Sequence, residues 1–190
     1  NDNWSGLVMD GSERNISRLR NRPWFWRYDL AALPRFLTRT NVDSEIGRWL
    51  DGRELGLLHI DVDGNDYWLW EAITCVRPVI VVVEYNATLG DDRPVTIPYS
   101  DDFERLAAHA SGQYFGASLS ALRHLAASRG YAFLGTNSAG NNAYFLLETL
   151  AARDEFASLT ASAGFTRPRF RDGRDATGRL DYGDFEARRR

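Results

Sequence analysis

The chain has 190 residues, 44% hydrophobic and 26% charged, with a net charge of −3, which suits one globular domain and argues against disorder or a general polyanion binder. All 23 basic residues are arginine, so Schiff-base chemistry and the Walker-type phosphate loop, which both need lysine, are excluded. Cys75 is the only cysteine, which excludes an intrachain disulfide and a thiolate metal cluster and makes a reducing cytoplasm the simplest compartment.

No apolar run reaches the ~18 residues of a membrane span, and no signal-peptide pattern opens the chain. The sequence starts without methionine and runs at once into a strand, so the native N-terminus is expected upstream. Ser5–Asp10 reads as that strand, closed by Asp-Gly-Ser. Glu13–Arg20 suits a helix with Ile16 and Leu19 on one side. Residues 23–36 are dense in aromatics and read as extended structure and loop. Their expected role is core or oligomer contact, with cover for a ligand as the alternative. Val42–Leu50 has helical spacing, capped by Thr40 or Asn41.

Leu55–Val62 is a near-continuous apolar run, typical of a strand buried on both faces. Tyr67–Thr74 follows as a helix and Pro78–Tyr85 as a second buried strand, giving a βαβ unit with parallel strands. Beyond a Pro- and Asp-rich loop, Phe103–Ala110 suits a short helix. Ser118 caps an amphipathic helix to Arg129, stopped by Gly130. Tyr131–Thr136 and Ala143–Glu148 read as an antiparallel hairpin turned by Asn137–Asn142. Leu150–Ala163 reads as a helix. The expected fold is thus α/β, a Rossmann-like, mostly parallel sheet with a C-terminal antiparallel hairpin, over a single domain 1–165. Residues 166–190 form a charged tail.

Ligands of open α/β sheets bind outside the carboxyl ends of the strands. Here those ends carry Asp10, then Asp61 and Asp63, then Glu84 and Asn86. Clustered ionisable groups at such an edge point to a site, against the plainer role of capping helices. An EF-hand loop starting at Asp61 needs glycine at its sixth position and an acid at its twelfth. Asp66 and Ala72 stand there instead, so that reading fails. Asp61-Val62-Asp63 also matches the Asp-x-Asp motif of haloacid-dehalogenase-like phosphatases, with Asp61 as nucleophile, but the lysine usual there is missing. Asp61, Glu84 and Asn86 together suggest a divalent-cation site, magnesium by analogy with catechol-type methyltransferases, against the plain reading that these side chains cap helices and hold loops. His59 reads as a packed core histidine. His109 and His124 read as surface or packing residues on helices. Tyr85, Tyr99 and Tyr114 either line an acceptor pocket or simply pack.

Leu57–Asp66 followed by Val79–Asn86 resembles the FkbM-like branch of S-adenosylmethionine-dependent methyltransferases, in which an Ile-Asp-(Val/Ile)-(Asp/Glu)-Gly strand end is followed by a helix and a (Val/Ile)-Glu-(Tyr/Phe)-Asn-like strand end. Trp4–Ser12 looks like that family's second strand. The resemblance implies that Asp10 would accept hydrogen bonds from the cofactor ribose, that the segment with Asn41 would lie beside the adenine, and that Asp61 would also approach the cofactor. Asp61, Asp63 and Glu84 would border the reacting centre, with Mg²⁺ held by Asp61, Glu84 and Asn86. The implied activity is O-methylation of a small-molecule, sugar or lipid-linked hydroxyl, with no nucleic-acid partner and with a homo-oligomer among the expected states. The family's first strand and Gly-rich turn would precede Trp4, and no Gly-x-Gly stands there. A trimmed chain is the expected reason. A magnesium-dependent phosphatase and a non-catalytic binding module on the same fold are the alternatives.

Overall fold

A computed structural model describes residues 4–161 and 163–167. Strand β1 (Ser5–Asp10) leads into helix α1 (Glu13–Arg20), whose cap Ser12 accepts from the Asn15 amide. After a 3-10 turn at Phe25–Arg27, strand β2 (Asp29–Pro34) pairs with β1 in parallel, from Ser5 opposite Asp29 to Asp10 opposite Pro34. These two strands form a sheet of their own. Helix α2 (Val42–Leu50) then buries Val42, Ile46 and Leu50 at the three- and four-residue spacing of one helical face.

The second sheet has four strands, in the order β3-β4-β6-β5. Strand β3 (Leu57–Ile60) and strand β4 (Ile80–Glu84) are parallel and joined through helix α3 (Asp66–Ala72), as the βαβ pattern leads one to expect. Beyond the short helix α4 (Arg105–Ala108), helix α5 (Leu119–Ser128) feeds the hairpin of β5 (Tyr131–Thr136) and β6 (Asn142–Leu147). β6 pairs antiparallel with both β4 and β5. The hairpin turn is held by Asn137, whose Oδ1 accepts from the amides of Gly140, Asn141 and Asn142. Helices α6 (Glu148–Ala151) and α7 (Asp154–Ala161) follow the hairpin.

β4 is the centre of the core. Val81 and Val83 are fully buried, and Trp70 of α3 lies 5.0 Å from the ring of Phe145 on β6. Packing of this kind, rather than helix propensity, holds so short a helix as α3. Its C-terminal end is also fixed from a distance. Arg129, at the end of α5, donates from Nη1 to the carbonyls of Trp70 at 2.6 Å and Glu71 at 3.0 Å, and from Nη2 to that of Ile73. One guanidinium thereby satisfies three carbonyls at a helix end, where intrahelical donors run out.

Several expectations change. The sheet is not one mostly parallel surface: parallel β1–β2 and β3–β4 ladders coexist with antiparallel ones, in two separate sheets. β3 is shorter than its apolar run and is not buried on both faces, because Leu57 and His59 are exposed. His59 is therefore not a core histidine; its Nε2 meets Asn142 Oδ1 at 3.3 Å. The aromatics of residues 23–36 are not core either, with Trp26 77% and Tyr28 62% exposed. The helix expected over Leu150–Ala163 is two helices, and that over Phe103–Ala110 shrinks to α4. Most of the charged tail, residues 168–190, lies outside the described residues.

Between the two sheets lies a slot of about 740 Å³, bordered by Leu7 and Met9 of β1, by β3 from Leu57 to Asp61, and by Ile46 and Leu50 of α2. Its two walls begin at the same end. Trp4, just before β1, covers Gly56, just before β3, its ring carbons 3.2 and 3.3 Å from where a Gly56 side chain would start. Arg53 reaches Ser5 Oγ at 3.3 Å beside them. Met9 and Asp61 border the slot further along, so β1 and β3 run the same way.

Replacing Arg129 by methionine keeps the aliphatic stem and removes the three charge-assisted bonds to α3. Urea denaturation is expected to show a loss of about 1.5–3 kcal/mol, the range for a hydrogen bond to a charged group.

Candidate functional site

The chain leaves β3 through Asp61-Val62-Asp63-Gly64-Asn65 and enters α3 at Asp66. This turn is tight for three reasons. Asp63 adopts a left-handed φ of 58°, a conformation aspartate tolerates better than most residues. Gly64 lies so close to Phe103 that a side chain there would start 2.2 and 2.3 Å from two ring carbons, and its carbonyl accepts from the Gly116 amide at 3.1 Å. Asp66, fully buried, draws the turn inward: Oδ1 accepts from the Val62 amide at 2.8 Å and Oδ2 from the Gly64 amide at 3.0 Å.

Burial pushes the Asp66 carboxyl up to about 7, against the lowering by the Val62 amide, while the negative charge of Asp61 raises it further. Asn65, also buried, donates from Nδ2 to the Ser100 carbonyl at 2.8 Å, and its Oδ1 has no hydrogen-bond partner among the described residues.

Glu84 ends β4 and is 1% exposed. One carboxylate oxygen from each of Asp61, Asp66 and Glu84 lies within 4.8 Å of the other two. Carboxylate oxygens gathered at this range could hold a hard divalent cation. Asp61 faces solvent while Asp66 and Glu84 are buried, which gives the group one open side.

The structure thus brings Asp61 and Glu84 together, while the other sequence candidates make contacts of their own. Asn86 is fully engaged in its own loop. Its Oδ1 accepts from Thr88 N and Thr88 Oγ1, and its Nδ2 donates to the carbonyls of Gln113 and Phe115. It fastens its loop, and Asp66 stands with Asp61 and Glu84 in the acidic group. Asp63 is 74% exposed and paired with Arg105 at 3.2 Å. Arg105 in turn stacks over Phe115 at 3.8 Å and donates to the Gly112 carbonyl. Asp10 ends β1 and anchors α1, accepting from Ser12 N at 2.7 Å and Asn15 Nδ2 at 3.1 Å. Asn41 closes the β2–α2 loop, accepting from Thr38 N at 2.9 Å and donating to the Phe36 carbonyl at 3.0 Å.

The tyrosines divide as well. Tyr85 is fully buried and donates to the Thr166 carbonyl, so it packs. Tyr99 accepts from the Arg39 amide and donates to Asp101, while the Arg39 guanidinium lies over both Tyr99 and Trp68. Cys75 is exposed, and desolvation pushes its thiol up to about 11, with the hydrogen bond and charge of Asp43 adding to the rise, which disfavours the thiolate.

Comparison with family models, with curated proteins and with solved structures gave no match to this chain.

Two measurements check this geometry. Gly64→Ala is expected to destabilise by about 2 kcal/mol through overpacking against Phe103, and a double-mutant cycle with Phe103→Ala should return a coupling that relieves much of that loss. The raised Asp66 carboxyl sets a pH dependence. An acid whose folded-state pKa lies above its unfolded value of 3.8 binds its proton more tightly in the native state. Its contribution is therefore greatest at acid pH, falls as pH rises from about 4 to about 7, and is flat above that. The difference in unfolding free energy between wild type and Asp66→Asn, measured in chelator across pH 4–8, should carry that slope.

Proposed function

We propose that this domain is a Rossmann-like S-adenosylmethionine-dependent methyltransferase acting on a hydroxyl of a small-molecule, sugar or lipid-linked acceptor. The observation that carries the reading is the common edge on which Asp10, Asp61 and Glu84 end three strands, two of them the parallel walls of one slot. The strand order supports it. Taking β1 and β2 as second and third strands, and β3 and β4 as fourth and fifth, reproduces the doubly wound order with the place of the first strand open at the slot.

On this reading Asp10 accepts from the ribose hydroxyls of the methyl donor, using lone pairs that Ser12 and Asn15 leave over. The acceptor lies against Asp61 at the open side of the acidic group. The bound methyl donor would supply an electrophilic methyl group and leave as its neutral thioether, while a carboxylate of the acidic group would take the acceptor's hydroxyl proton. In-line placement does most of the catalytic work. A divalent cation, held by Asp61, Glu84 and Asp66, would lower the hydroxyl pKa. The same acidic group suits a magnesium-dependent phosphatase with Asp61 as nucleophile, the second reading. Turnover of an aryl phosphate that disappears in Asp61→Asn would favour it.

Calorimetric titration of the chain with S-adenosylmethionine and its demethylated product, with and without magnesium, tests the proposal. Binding of both is expected, weakened about 10- to 100-fold in Asp10→Ala, the cost of a charge-assisted bond to the diol. Absence of heat from either ligand at millimolar concentration, from protein with intact circular dichroism, overturns it.

A further inference from the structure

The chain is negative as a whole, but residues 13–36 carry six arginines against two acids, Glu13 and Asp29. Large aromatics are interleaved with them. Trp24 is 43%, Trp26 77% and Tyr28 62% exposed, so three bulky rings stand in water within five residues. Single exposed apolar side chains are ordinary, whereas a group of this kind marks an interaction surface.

The backbone that presents these rings is well bonded. The amides of Phe25, Arg27 and Tyr28 donate to the carbonyls of Arg22, Trp24 and Phe25, which makes the 3-10 turn before β2 a fixed platform. Trp24 and Tyr28 brace each other edge to face, 6.4 Å apart at 66°, and the Arg27 guanidinium lies 5.4 Å from the centre of the Trp26 ring. Arg20 donates to the Ala32 carbonyl from Nε and Nη2 and ties α1 to β2. Arg14, Arg18, Arg22 and Arg27 are exposed and form no ion pair among the described residues. Ser5 stands opposite Asp29, so the turn lies at the end where β1 and β2 begin, away from the acids on which the strands close. The slot is bordered by β1 and not by β2, and none of the three aromatics lines it, so this surface is separate from it.

We propose that this turn is a peripheral membrane anchor, which seats Trp24, Trp26 and Tyr28 among the headgroups of an anionic bilayer. Arg22 and Arg27 beside the rings, with Arg14 and Arg18 on the α1 face opposite buried Ile16, pair with the lipid phosphates. The chemistry of both sets of residues favours this occupant. Indole and phenol rings carry one polar N–H or O–H on an apolar body and settle at the boundary of hydrocarbon and water. A guanidinium donates two parallel bonds to a phosphate, and basic side chains are drawn to an anionic leaflet. A second copy of this chain fits less well, because a two-fold contact through this surface sets arginines against the same arginines. A single-stranded nucleic acid also fits less well: Trp24 and Tyr28, turned 66° from each other, do not form parallel platforms for successive bases. The proposal rests on this surface alone and not on the methyl-transfer reading.

The test is flotation of the full chain with vesicles of equimolar phosphatidylcholine and phosphatidylglycerol, against vesicles of phosphatidylcholine alone. The expected result is binding to the mixed vesicles that weakens as salt is raised, and is about tenfold weaker or less on phosphatidylcholine. Arg22→Gln and Arg27→Gln should each weaken binding to the mixed vesicles about fivefold. Trp24→Ala with Trp26→Ala should abolish it while circular dichroism stays unchanged, since both side chains are exposed. Brominated acyl chains in the mixed vesicles should quench tryptophan fluorescence, an effect that Trp24→Phe with Trp26→Phe removes. No flotation at millimolar lipid overturns the proposal, and so does flotation that the double alanine variant keeps. Without flotation, retention of oligouridine or self-association that Trp26→Ala removes would assign the surface to nucleic acid or to a second copy instead.

Discussion

The carboxylate of Asp66 is the constraint on which the site depends. Its two oxygens take the amides of Val62 and Gly64, and this clasp folds the chain leaving β3 back onto the start of α3. With the turn closed, Gly64 comes against Phe103, Asp61 is left at the rim, and Glu84 approaches from β4. The same carboxylate sits fully buried beside another acid, and burial raises its proton affinity into the neutral range. Backbone hydrogen bonds favour the ionised form while burial and Asp61 favour the neutral one. The turn is thus built on a group whose charge is finely balanced, a frequent sign of a site rather than of simple architecture.

The second constraint is the gap between the sheets. Each half has its own ladder, and the halves meet through α2 beneath the slot and through Trp4 over Gly56 with Arg53 on Ser5 at its end. Those contacts fix the direction of β1 relative to β3 without any backbone pairing between them. A sheet interrupted in this way carries its acids at one edge but not yet at one centre. Asp61 and Glu84, on neighbouring strands, are brought together; Asp10, across the gap, anchors α1 instead.

Much of this was legible in the sequence, and the failures share a physical cause. The helices over Glu13–Arg20 and Val42–Leu50, the hairpin and the Ser118 cap follow from local pattern, which needs no knowledge of the rest of the chain. The burial of β3 and of the aromatics around Trp26 was misread because an apolar run signals the capacity to be buried, not the presence of a cover. Leu57 lies on a strand that pairs only with β4 among the described residues, and it stays exposed. In the site, Asp61 and Glu84 were legible from their places at strand ends, but Asp66 was passed over as part of a turn. Its spacing of five from Asp61 carries no periodic signal. Only the return of the chain onto α3 brings the two together. Asn86 shows the opposite case: it stands at a strand end, and its amide bonds to Thr88, Gln113 and Phe115, partners that sequence distance hides.

Three carboxylates within one coordination radius raise the question of what balances their charge. If all three were ionised, two negative groups would lie buried at close range, and each would raise the proton affinity of the others. The raised Asp66 carboxyl is one answer, since a proton there removes a buried charge at neutral pH. A divalent cation is the other, and the two exclude each other, because a ligating carboxylate must give up its proton. One compact group can then exist as a protonated form or as an ionised, cation-holding form, and Asp61 at its open rim is where a substrate oxygen would meet the second of these.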